Sequence, residues 1–462
     1  MSCELHDPER VNRKHSHKEK CEMKKVLVLG AGLVTRPHVR YLLDVPDFEV
    51  IVASRTVSKA EALINGHPRG RAFALNVENH AALEDLIRQA DLSVSMLPYV
   101  YHPTVAALCV KHGKQMVTTS YVKDAMRALD GAAKEAGVIL LNEVGVDPGI
   151  DHMSAMKVIH EVERKGGKIA SFVSWTGGLP APEASDNPFG YKFSWTPRGV
   201  LLAGKNPARF QRNGKIVEIP GEELFDNYWP VTIEGLGEFE GYPNRDSMPY
   251  TDIYGIQPTD WMFRGTLRNV GWCATLKKCV EIGLFDDTPV DPRPSTFREF
   301  TARMLDVSAD VDLIQYLASQ WGMCEDSKPL TDLAWLGLFS DEPLPEGKNT
   351  PLGIMAARME SKMAYRPGER DMIVMQHEFV AEYPDYNEAI TATMVDYGIP
   401  DGDTSMARTV GLPAAIAVRL ILQGELSGLT GVQVPMIPEI YKPILKELSG
   451  LGIGLAERVE II

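Results

Sequence analysis

The sequence predicts an α/β protein in which a doubly wound parallel sheet is joined to an α+β domain with a mixed sheet. Two observations predict the first part. Short apolar runs alternate with amphipathic segments from Lys24 to about Val146, and the first run ends in two closely spaced glycines, Gly30 and Gly32. A third observation predicts the second part, because beyond Asp147 strand-like runs follow one another with few helices between them.

The first element is a buried strand that turns sharply into a helix. Its sequence is Lys24-Lys25-Val26-Leu27-Val28-Leu29, followed by Gly30-Ala31-Gly32-Leu33-Val34-Thr35. This pattern is typical of the first unit of a Rossmann dinucleotide-binding domain, in which Gly32 lets the backbone approach a pyrophosphate at the helix N-terminus. Because Thr35 replaces the third glycine of the usual fingerprint, the motif alone is equally consistent with an ordinary strand-to-helix turn.

The second strand, Phe48–Ala53, indicates which dinucleotide would bind. It ends in Ser54-Arg55-Thr56, and Ser54 lies 22 positions after Gly32, close to the spacing at which this strand meets the adenosine ribose. An NAD site would place a carboxylate there, whereas two hydroxyls and a guanidinium suit a 2′-phosphate. The sequence therefore predicts NADP, the alternative being an ordinary surface arginine.

The remaining elements of the first part continue the alternation. Helices are predicted at Pro37–Leu43, Ser58–Ile64 and His80–Gln89, and strands at Asp91–Pro98, Gln115–Ser120 and Val138–Leu141. Ligands of such sheets bind beyond the carboxyl ends of the strands, so one rim is expected to carry Gly32, Ser54, Leu97, Ser120 and Asp147.

The second part is predicted to hold the mixed sheet. A helix at Ser154–Lys165 precedes strand-like runs at Ile169–Trp175, Val231–Gly235, Phe263–Trp272, Ile373–Glu382 and Ala389–Tyr397. Helices at Thr296–Gly322 and Leu330–Phe339 are inserted among them, and the chain ends in helices at Thr409–Leu422, with Pro413 near the helix start, and Ile440–Leu448. The predicted division is a tail at 1–22, a nucleotide domain at 23–146 completed by 403–462, and a second domain at 147–402 with a helical insertion at about 290–362.

Composition narrows the class of protein. A formal net charge of −14 argues against nucleic acid or an anionic membrane as a partner, and no apolar stretch is expected to reach membrane-spanning length. Residues 1–22 are polar and predicted to be a disordered tail without a signal peptide. The six cysteines have no paired spacing, which favours a reduced, cytoplasmic protein, and no metal site is predicted.

Polar and aromatic residues gather in three further segments. Trp175–Trp195 mixes prolines, glycines and aromatics, which predicts a functional loop. Tyr242–Ser247 and Arg264–Arg268 contribute Arg245 and Arg268, whose planar guanidinium groups can hold carboxylates bidentately. Each arginine taken singly is also consistent with a surface ion pair.

Several long, irregular motifs together resemble one family. Gly30–Thr35, Thr118–Val122, Asp147–His152, Gly177–Trp195 and Tyr242–Ser247 are similar to the NADP-linked, glutamate-forming saccharopine dehydrogenases, also called saccharopine reductases. The resemblance covers nearly everything after Met23 and is weakest at the inserted helices. It implies a three-domain, homodimeric enzyme with a Rossmann domain, a substrate-binding and dimerisation domain and a small helical insertion.

The resemblance also implies which residues form the site. Those implied or predicted to contact NADP are Gly30, Ala31, Gly32, Leu33, Val34, Ser54, Arg55, Thr56, Asn76, Val77, Leu97, Thr119, Ser120, Val146, Asp147, Pro148 and Trp195. Those implied to hold saccharopine are Ser120, Tyr121, Asp147, Arg245, Thr266, Leu267 and Arg268. Thr176 stands where some members of the family carry a cysteine, so no role of that thiol applies here.

The implied reaction belongs to lysine metabolism. Glutamate and 2-aminoadipate 6-semialdehyde condense to an imine, to which NADPH delivers hydride, and Asp147 and Lys192 are the candidate acid or base groups. Two alternatives stay open at this point: an imine-reducing dehydrogenase for another conjugate, such as carboxynorspermidine, and a non-catalytic nucleotide-binding regulator. The physiological direction, lysine synthesis or breakdown, is also open.

Overall fold

The computed structural model describes residues 23–257, 259–290 and 294–462, so the predicted tail at 1–22 lies outside the described residues. Within them the strands form two sheets, one of seven strands and one of nine. The predicted fold class is confirmed: a doubly wound parallel sheet is joined to a second domain with a mixed sheet.

The seven-stranded sheet is parallel throughout and has the order β15-β6-β5-β4-β1-β2-β3. Its elements in the first part of the chain are β1 (Lys24–Leu29), α1 (Thr35–Asp44), β2 (Phe48–Ser54), α2 (Val57–Ile64), β3 (Gly70–Ala74), α3 (His80–Gln89), β4 (Leu92–Ser95), α4 (His102–Lys111), β5 (Gln115–Thr118), α5 (Asp124–Arg127), α6 (Asp130–Glu135) and β6 (Ile139–Leu141). Val26 to Leu29 are fully buried because helices cover both faces of the sheet.

The chain then crosses to the nine-stranded sheet. The elements that follow are α7 (Ile150–Arg164), β7 (Lys168–Pro180), α8 (Pro197–Ala203), β8 (Ala208–Arg212), β9 (Lys215–Ile219), β10 (Trp229–Ile233), β11 (Gly237–Pro243), α9 (Pro249–Tyr254), β12 (Trp261–Arg268), α10 (Trp272–Glu281), α11 (Phe297–Met304), α12 (Leu313–Trp321), α13 (Lys328–Leu336), α14 (Pro351–Lys362), β13 (Asp371–Glu382) and β14 (Asn387–Tyr397). The pair of β7 and β12 is parallel and the other pairs are antiparallel.

Three predicted bounds in this part were wrong. The predicted loop at Trp175–Trp195 begins only after Pro180, since Gly177 to Pro180 pair with β13. The predicted strand at Phe263–Trp272 ends at Arg268, after which the chain turns into α10. Thr296–Gly322 is two helices, because Asp312 caps a new helix by accepting hydrogen bonds from Ile314 and Gln315.

The C-terminal segment returns to the first sheet and then leaves it. Its elements are α15 (Ser405–Leu422), β15 (Gly431–Gln433), α16 (Pro438–Gly450) and β16 (Ala456–Ile461). Helix α15 packs on α1, where His38 Nδ1 lies 3.0 Å from the Gly411 carbonyl oxygen, and β15 joins the parallel sheet beside β6. The final strand differs from the predicted division at 403–462, because β16 pairs with β14 of the second sheet.

Helix α15 departs from the prediction in two ways. Thr404 caps it by accepting a hydrogen bond from Ala407, so Pro413 lies inside the helix and not near its start. The expectation that no apolar stretch reaches membrane-spanning length was also wrong, because α15 is long and apolar enough by length and composition. However, 67% of this helix is buried inside the protein, as in a core helix.

Candidate active site

The parallel sheet brings the residues implied to bind NADP to one rim. They follow the carboxyl ends of successive strands: Gly30 to Val34 after β1, Ser54 to Thr56 around the end of β2, Asn76 and Val77 after β3, Leu97 after β4, and Thr119 and Ser120 after β5. This is the position at which open α/β sheets bind ligands.

The turn after β1 is shaped by Gly30 and Thr35. Gly30 has a φ of +112°, and a Cβ there would lie 2.8 Å from the Met96 carbonyl oxygen, so a side chain is excluded. The buried hydroxyl of Thr35 accepts a hydrogen bond of 3.1 Å from the Gly32 N–H and so closes the turn. Gly32 itself is exposed and has open space around its Cβ position, which leaves room for a pyrophosphate against the backbone.

The end of β2 suits a 2′-phosphate. Ser54 is half-buried, Arg55 and Thr56 are exposed, and Arg55 forms no ion pair with any residue in the described part of the chain. Its guanidinium is therefore available to an anion, and no carboxylate stands at this strand end to repel one. The residues at this rim thus fit NADP.

Asp147 stands at the junction of the two domains. The loop before α7 folds tightly, with the Gly145 N–H donating to the Pro148 carbonyl oxygen at 2.9 Å. Gly149 permits this turn because its φ is +149° and a Cβ would meet the Gly145 backbone at 2.1 Å. Its N–H donates to Asp151 Oδ1 at 2.6 Å, so the loop orients two carboxylates, Asp147 and Asp151.

A buried arginine joins these carboxylates across the domain boundary. Arg264 of β12 donates through Nη2 to Asp147 Oδ1 at 2.7 Å and to Asp151 Oδ2 at 2.6 Å. The Tyr121 hydroxyl donates to the same Asp147 oxygen at 2.6 Å, and the Tyr250 ring lies 4.4 Å from the Arg264 guanidinium. These five residues are called the junction network below.

The junction network leaves one carboxylate oxygen available. Asp147 Oδ2 has no hydrogen-bond partner among residues 23–257, 259–290 and 294–462, and it is not a buried atom. Burial raises the pKa of Tyr121 well above its usual value, so its hydroxyl is a neutral donor at physiological pH. Asp147 Oδ2 can therefore accept a proton or a hydrogen bond from a ligand, while Oδ1 is fixed by two donors.

Strand β12 presents a line of polar groups beyond this network. Arg264, Thr266 and Arg268 alternate onto one face, and the two arginines are separated by roughly 13 Å at about 3.3 Å per residue. The Leu267 side chain is fully buried on the opposite face, so only its backbone can contribute. Thr176, opposite Thr266 in the register, lies on the same face.

Arg268 is a buried cation with few partners. It is 5% exposed, its Nη1 donates to the Leu267 carbonyl oxygen at 2.8 Å, and its Nε has no partner. The guanidinium lies 5.0 Å from the ring of Tyr191 and 5.4 Å from that of Trp272. No carboxylate of the described residues pairs with it, so this position favours an anionic ligand.

Arg245 is placed differently. It is exposed, has a φ of +58°, and its guanidinium lies 5.6 Å from the Tyr121 ring. The alternative of an ion pair with Asp246 finds no support, because Asp246 instead lies 3.6 Å from Arg209 and accepts from the Met248 N–H at 2.9 Å. Arg245 is thus available beside Tyr121.

Lys192 forms ion pairs outside the junction network. Its ammonium is 2.8 Å from Asp186 and 2.7 Å from Glu369, and its side chain is 4% exposed. None of its ion pairs involves the junction network. Trp195, from the same loop, is half-buried and packs against Gly199.

Sequence reasoning missed three groups near the junction. Arg264 and Asp151 lie in the segments Arg264–Arg268 and Asp147–His152 but were given no predicted role, and His102, which contacts Ser120, was not predicted as a site residue. Strand alternation could have placed Arg264 on the face of Arg268, whereas the contact of Arg264 with Asp151 joins residues 113 positions apart. In the described part of the chain no group of His, Cys, Asp and Glu is arranged to hold a metal.

Comparisons with known proteins agree with this geometry. The model of the saccharopine dehydrogenase NADP binding domain matches residues 26–141, and that of the saccharopine dehydrogenase C-terminal domain matches residues 145–453. A saccharopine dehydrogenase [NADP(+), L-glutamate-forming] of Schizosaccharomyces pombe is 44% identical, covering 95% of this chain and 99% of its own. The mitochondrial alpha-aminoadipic semialdehyde synthase of Bos taurus is 38% identical over 96% of this chain, which spans 49% of that protein.

A solved structure extends the likeness to the whole fold. The apo histidine-tagged saccharopine dehydrogenase (L-Glu forming) from Saccharomyces cerevisiae superposes with a TM-score of 0.87 at 39% identity. The match covers 95% of this chain and all of that one.

Proposed function

Because this chain belongs to the saccharopine dehydrogenase family, we propose that its cleft interconverts saccharopine with L-glutamate and 2-aminoadipate 6-semialdehyde. The protein is an NADP-dependent oxidoreductase of lysine metabolism, as the resemblance implied. These relatives give no support to the carboxynorspermidine alternative or to a non-catalytic regulator.

The rim of the parallel sheet would hold the cofactor. Gly32 and the N-terminus of α1 would receive the pyrophosphate, and Arg55 with the hydroxyls of Ser54 and Thr56 would receive the 2′-phosphate. When bound, NADP accepts hydride from saccharopine or, as NADPH, supplies it to the imine.

The observation that carries the substrate assignment is Arg268, a buried cation without a carboxylate partner on the same strand face as the junction network. Saccharopine has three carboxylates, and a buried arginine is stabilised by a carboxylate in a site closed to water. We assign one substrate carboxylate to Arg268 and a second to Arg245, with the backbone of Leu267 and the hydroxyl of Thr266 between them.

Asp147 is proposed as the proton-transfer group. Oxidation removes a hydride from the carbon and a proton from the secondary amine, giving an imine, and water then adds and the C–N bond breaks to release glutamate and the semialdehyde. Asp147 Oδ2 has no partner among the described residues, whereas Lys192 is held by two carboxylates. Asp147 is therefore the better placed of the two to accept the amine proton.

The test is oxidation of saccharopine by the purified protein with NADP, followed by mass spectrometry of the products. Glutamate and 2-aminoadipate 6-semialdehyde, formed in step with NADPH, are expected. Lysine and 2-oxoglutarate would instead indicate the other class of saccharopine enzyme, and no NADPH formation would contradict the proposal.

The oligomeric state, the location in the cell and the class of partner are also proposed. We expect a homodimer in the cytoplasm, acting on small molecules and not on nucleic acid or membranes. The net charge of −14 and the four described cysteines, all free, support this setting. Sedimentation and cell fractionation test it.

A further inference from the structure

His102 lies between the ends of two parallel strands, directly below the rim. It is 4% exposed and begins α4. Its Nδ1 is 2.8 Å from the hydroxyl of Ser95 at the end of β4, and its Nε2 is 2.9 Å from the hydroxyl of Ser120 after β5. The Thr118 hydroxyl is also near Nε2, at 3.3 Å. The ring therefore connects the floor of the sheet to a residue of the cleft.

The imidazole is neutral, so one ring nitrogen donates and the other accepts. Burial lowers the pKa of His102 to about 4, and no carboxylate among its hydrogen-bond partners opposes this effect. The direction of each hydrogen bond then depends on which nitrogen carries the hydrogen.

Thr118 decides between the two tautomers. Its hydroxyl donates to the Ser95 carbonyl oxygen at 2.9 Å, so it presents only lone pairs towards His102 Nε2. An unprotonated Nε2 would face those lone pairs, whereas an Nε2–H is attracted to them. The hydrogen therefore lies on Nε2, and the Ser95 hydroxyl donates to Nδ1.

The consequence concerns Ser120. Its hydroxyl oxygen accepts from His102 Nε2–H, which leaves its own hydrogen free on the half-buried side of the rim. We propose that His102 is a positioning residue that makes the Ser120 hydroxyl a donor to an oxygen of the bound ligand. The proposal rests on the proposed function, in which that oxygen belongs to the cofactor or to a substrate carboxylate.

The experiment compares H102L, H102Q, S120A and the double variant H102L/S120A in the full-length protein. The NADPH Kd is measured by fluorescence, the KM and kcat for saccharopine by steady-state kinetics, and the Tm by calorimetry. S120A is expected to raise the NADPH Kd or the saccharopine KM by about tenfold, and whichever constant rises identifies the source of the oxygen. H102L should raise that same constant by a similar factor, and H102Q, which retains an N–H donor, should recover most of it.

The double variant shows whether His102 acts by positioning Ser120 or only by stabilising the fold. In the double variant the constant should be no higher than in S120A alone, because His102 acts through the Ser120 hydroxyl. As a matched control, H160L removes a half-buried histidine that bonds the Tyr441 hydroxyl between α7 and α16, and should leave both constants unchanged.

Three outcomes would overturn the proposal: both constants unchanged in S120A, wild-type constants in H102L, or an undiminished effect of H102L in the S120A background. If H102L does not fold, T118V replaces it, since loss of the Thr118 lone pairs facing His102 Nε2 frees the tautomer and should raise the same constant several-fold. Wild-type constants in T118V would then contradict the inference. Because wild-type turnover of saccharopine is measured separately, failure of the proposed function is distinguishable from each of these results.

Discussion

At the scale of single residues, two buried arginines of β12 differ in whether a carboxylate pairs with them. Arg264 is paired with Asp147 and Asp151, whereas Arg268 has an unpartnered Nε and no carboxylate partner among the described residues. Neighbouring acidic and phenolic groups raise the pKa of Arg264 even though burial alone would lower it, so it is fully charged. This contrast predicts that one arginine stabilises the protein and the other serves the ligand.

Replacement by methionine should separate the two roles. R264M leaves two carboxylates without their cation and is expected to lower the free energy of unfolding by about 3–5 kcal/mol. R268M removes a buried charge that forms no ion pair among the described residues; the Glu240 carboxylate opposite it accepts instead from the N–H groups of Gly271 and Cys273. The unfolding free energy should therefore change little, while the lower kcat/KM for saccharopine should correspond to a loss of about 2–5 kcal/mol of transition-state stabilisation. Denaturant unfolding and steady-state kinetics measure both. A destabilised R268M with normal kinetics would reassign Arg268 to the fold.

Arg55 should decide between the two nicotinamide cofactors. R55D removes a charge-assisted contact to the 2′-phosphate and adds repulsion, so the NADPH Kd is expected to rise about tenfold or more. NADH, which lacks that phosphate, should bind R55D no more weakly than the wild type. Fluorescence titration with each cofactor provides the measurement, and equal loss for NADH and NADPH would count against a phosphate contact.

At the scale of elements, local patterns predicted those strands and helices whose burial is regular. Val26 to Leu29 of β1, nearly all of β2 and all of β4 are buried, and these strands were placed within a few residues. Strand β3 was missed because most of it is exposed, and β15 because only one of its three residues is buried, unlike the three fully buried residues of β6. Strand β16 is exposed along its whole length and is held by pairing with β14, so its sequence carries no burial pattern to detect.

The same limit explains which site residues could be predicted. Rim residues follow from strand order alone, since the carboxyl ends of parallel strands share one edge. The Arg264 contact with Asp147 spans 117 positions, and the ion pair of Lys192 with Glu369 spans 177. No periodicity encodes such contacts, so the sequence could not show that Lys192 forms ion pairs with Asp186 and Glu369.

The C-terminal elements should contribute unequally to the stability of the protein. Truncation after Asp403 removes α15, whose buried face covers α1 and the parallel sheet, and should give insoluble or molten protein. Truncation after Leu455 removes β16 with its ion pairs from Glu457 to Lys157 and from Arg458 to Glu234, and should give soluble protein with unchanged NADPH affinity. Solubility and fluorescence titration test this, and a soluble first truncation with normal affinity would rule out the packing role of α15.

At the scale of the whole molecule, three buried histidines link stability to pH. Burial lowers the pKa of His38 and of His102 to about 4, and that of His377 to about 3. His38 and His377 are fully buried, and His377 lies between the hydroxyls of Ser154 and Ser174. One histidine belongs to each of α1, α4 and β13, so the effect is spread over both domains.

Acid should therefore unfold the protein cooperatively. Below the unfolded-state pKa near 6.5 the unfolded chain binds protons at these histidines while the native state does not, so stability falls as the pH drops from about 6.5 towards 4. Each fully neutral histidine contributes a slope of about 1.4 kcal/mol per pH unit within that window. Urea unfolding between pH 7.5 and 4.5 measures the slope. The glutamine of the H38Q variant does not titrate, so this variant should lower the slope by about 1.4 kcal/mol per pH unit, the contribution of one proton. An unchanged slope would show that His38 is not neutral in the native protein.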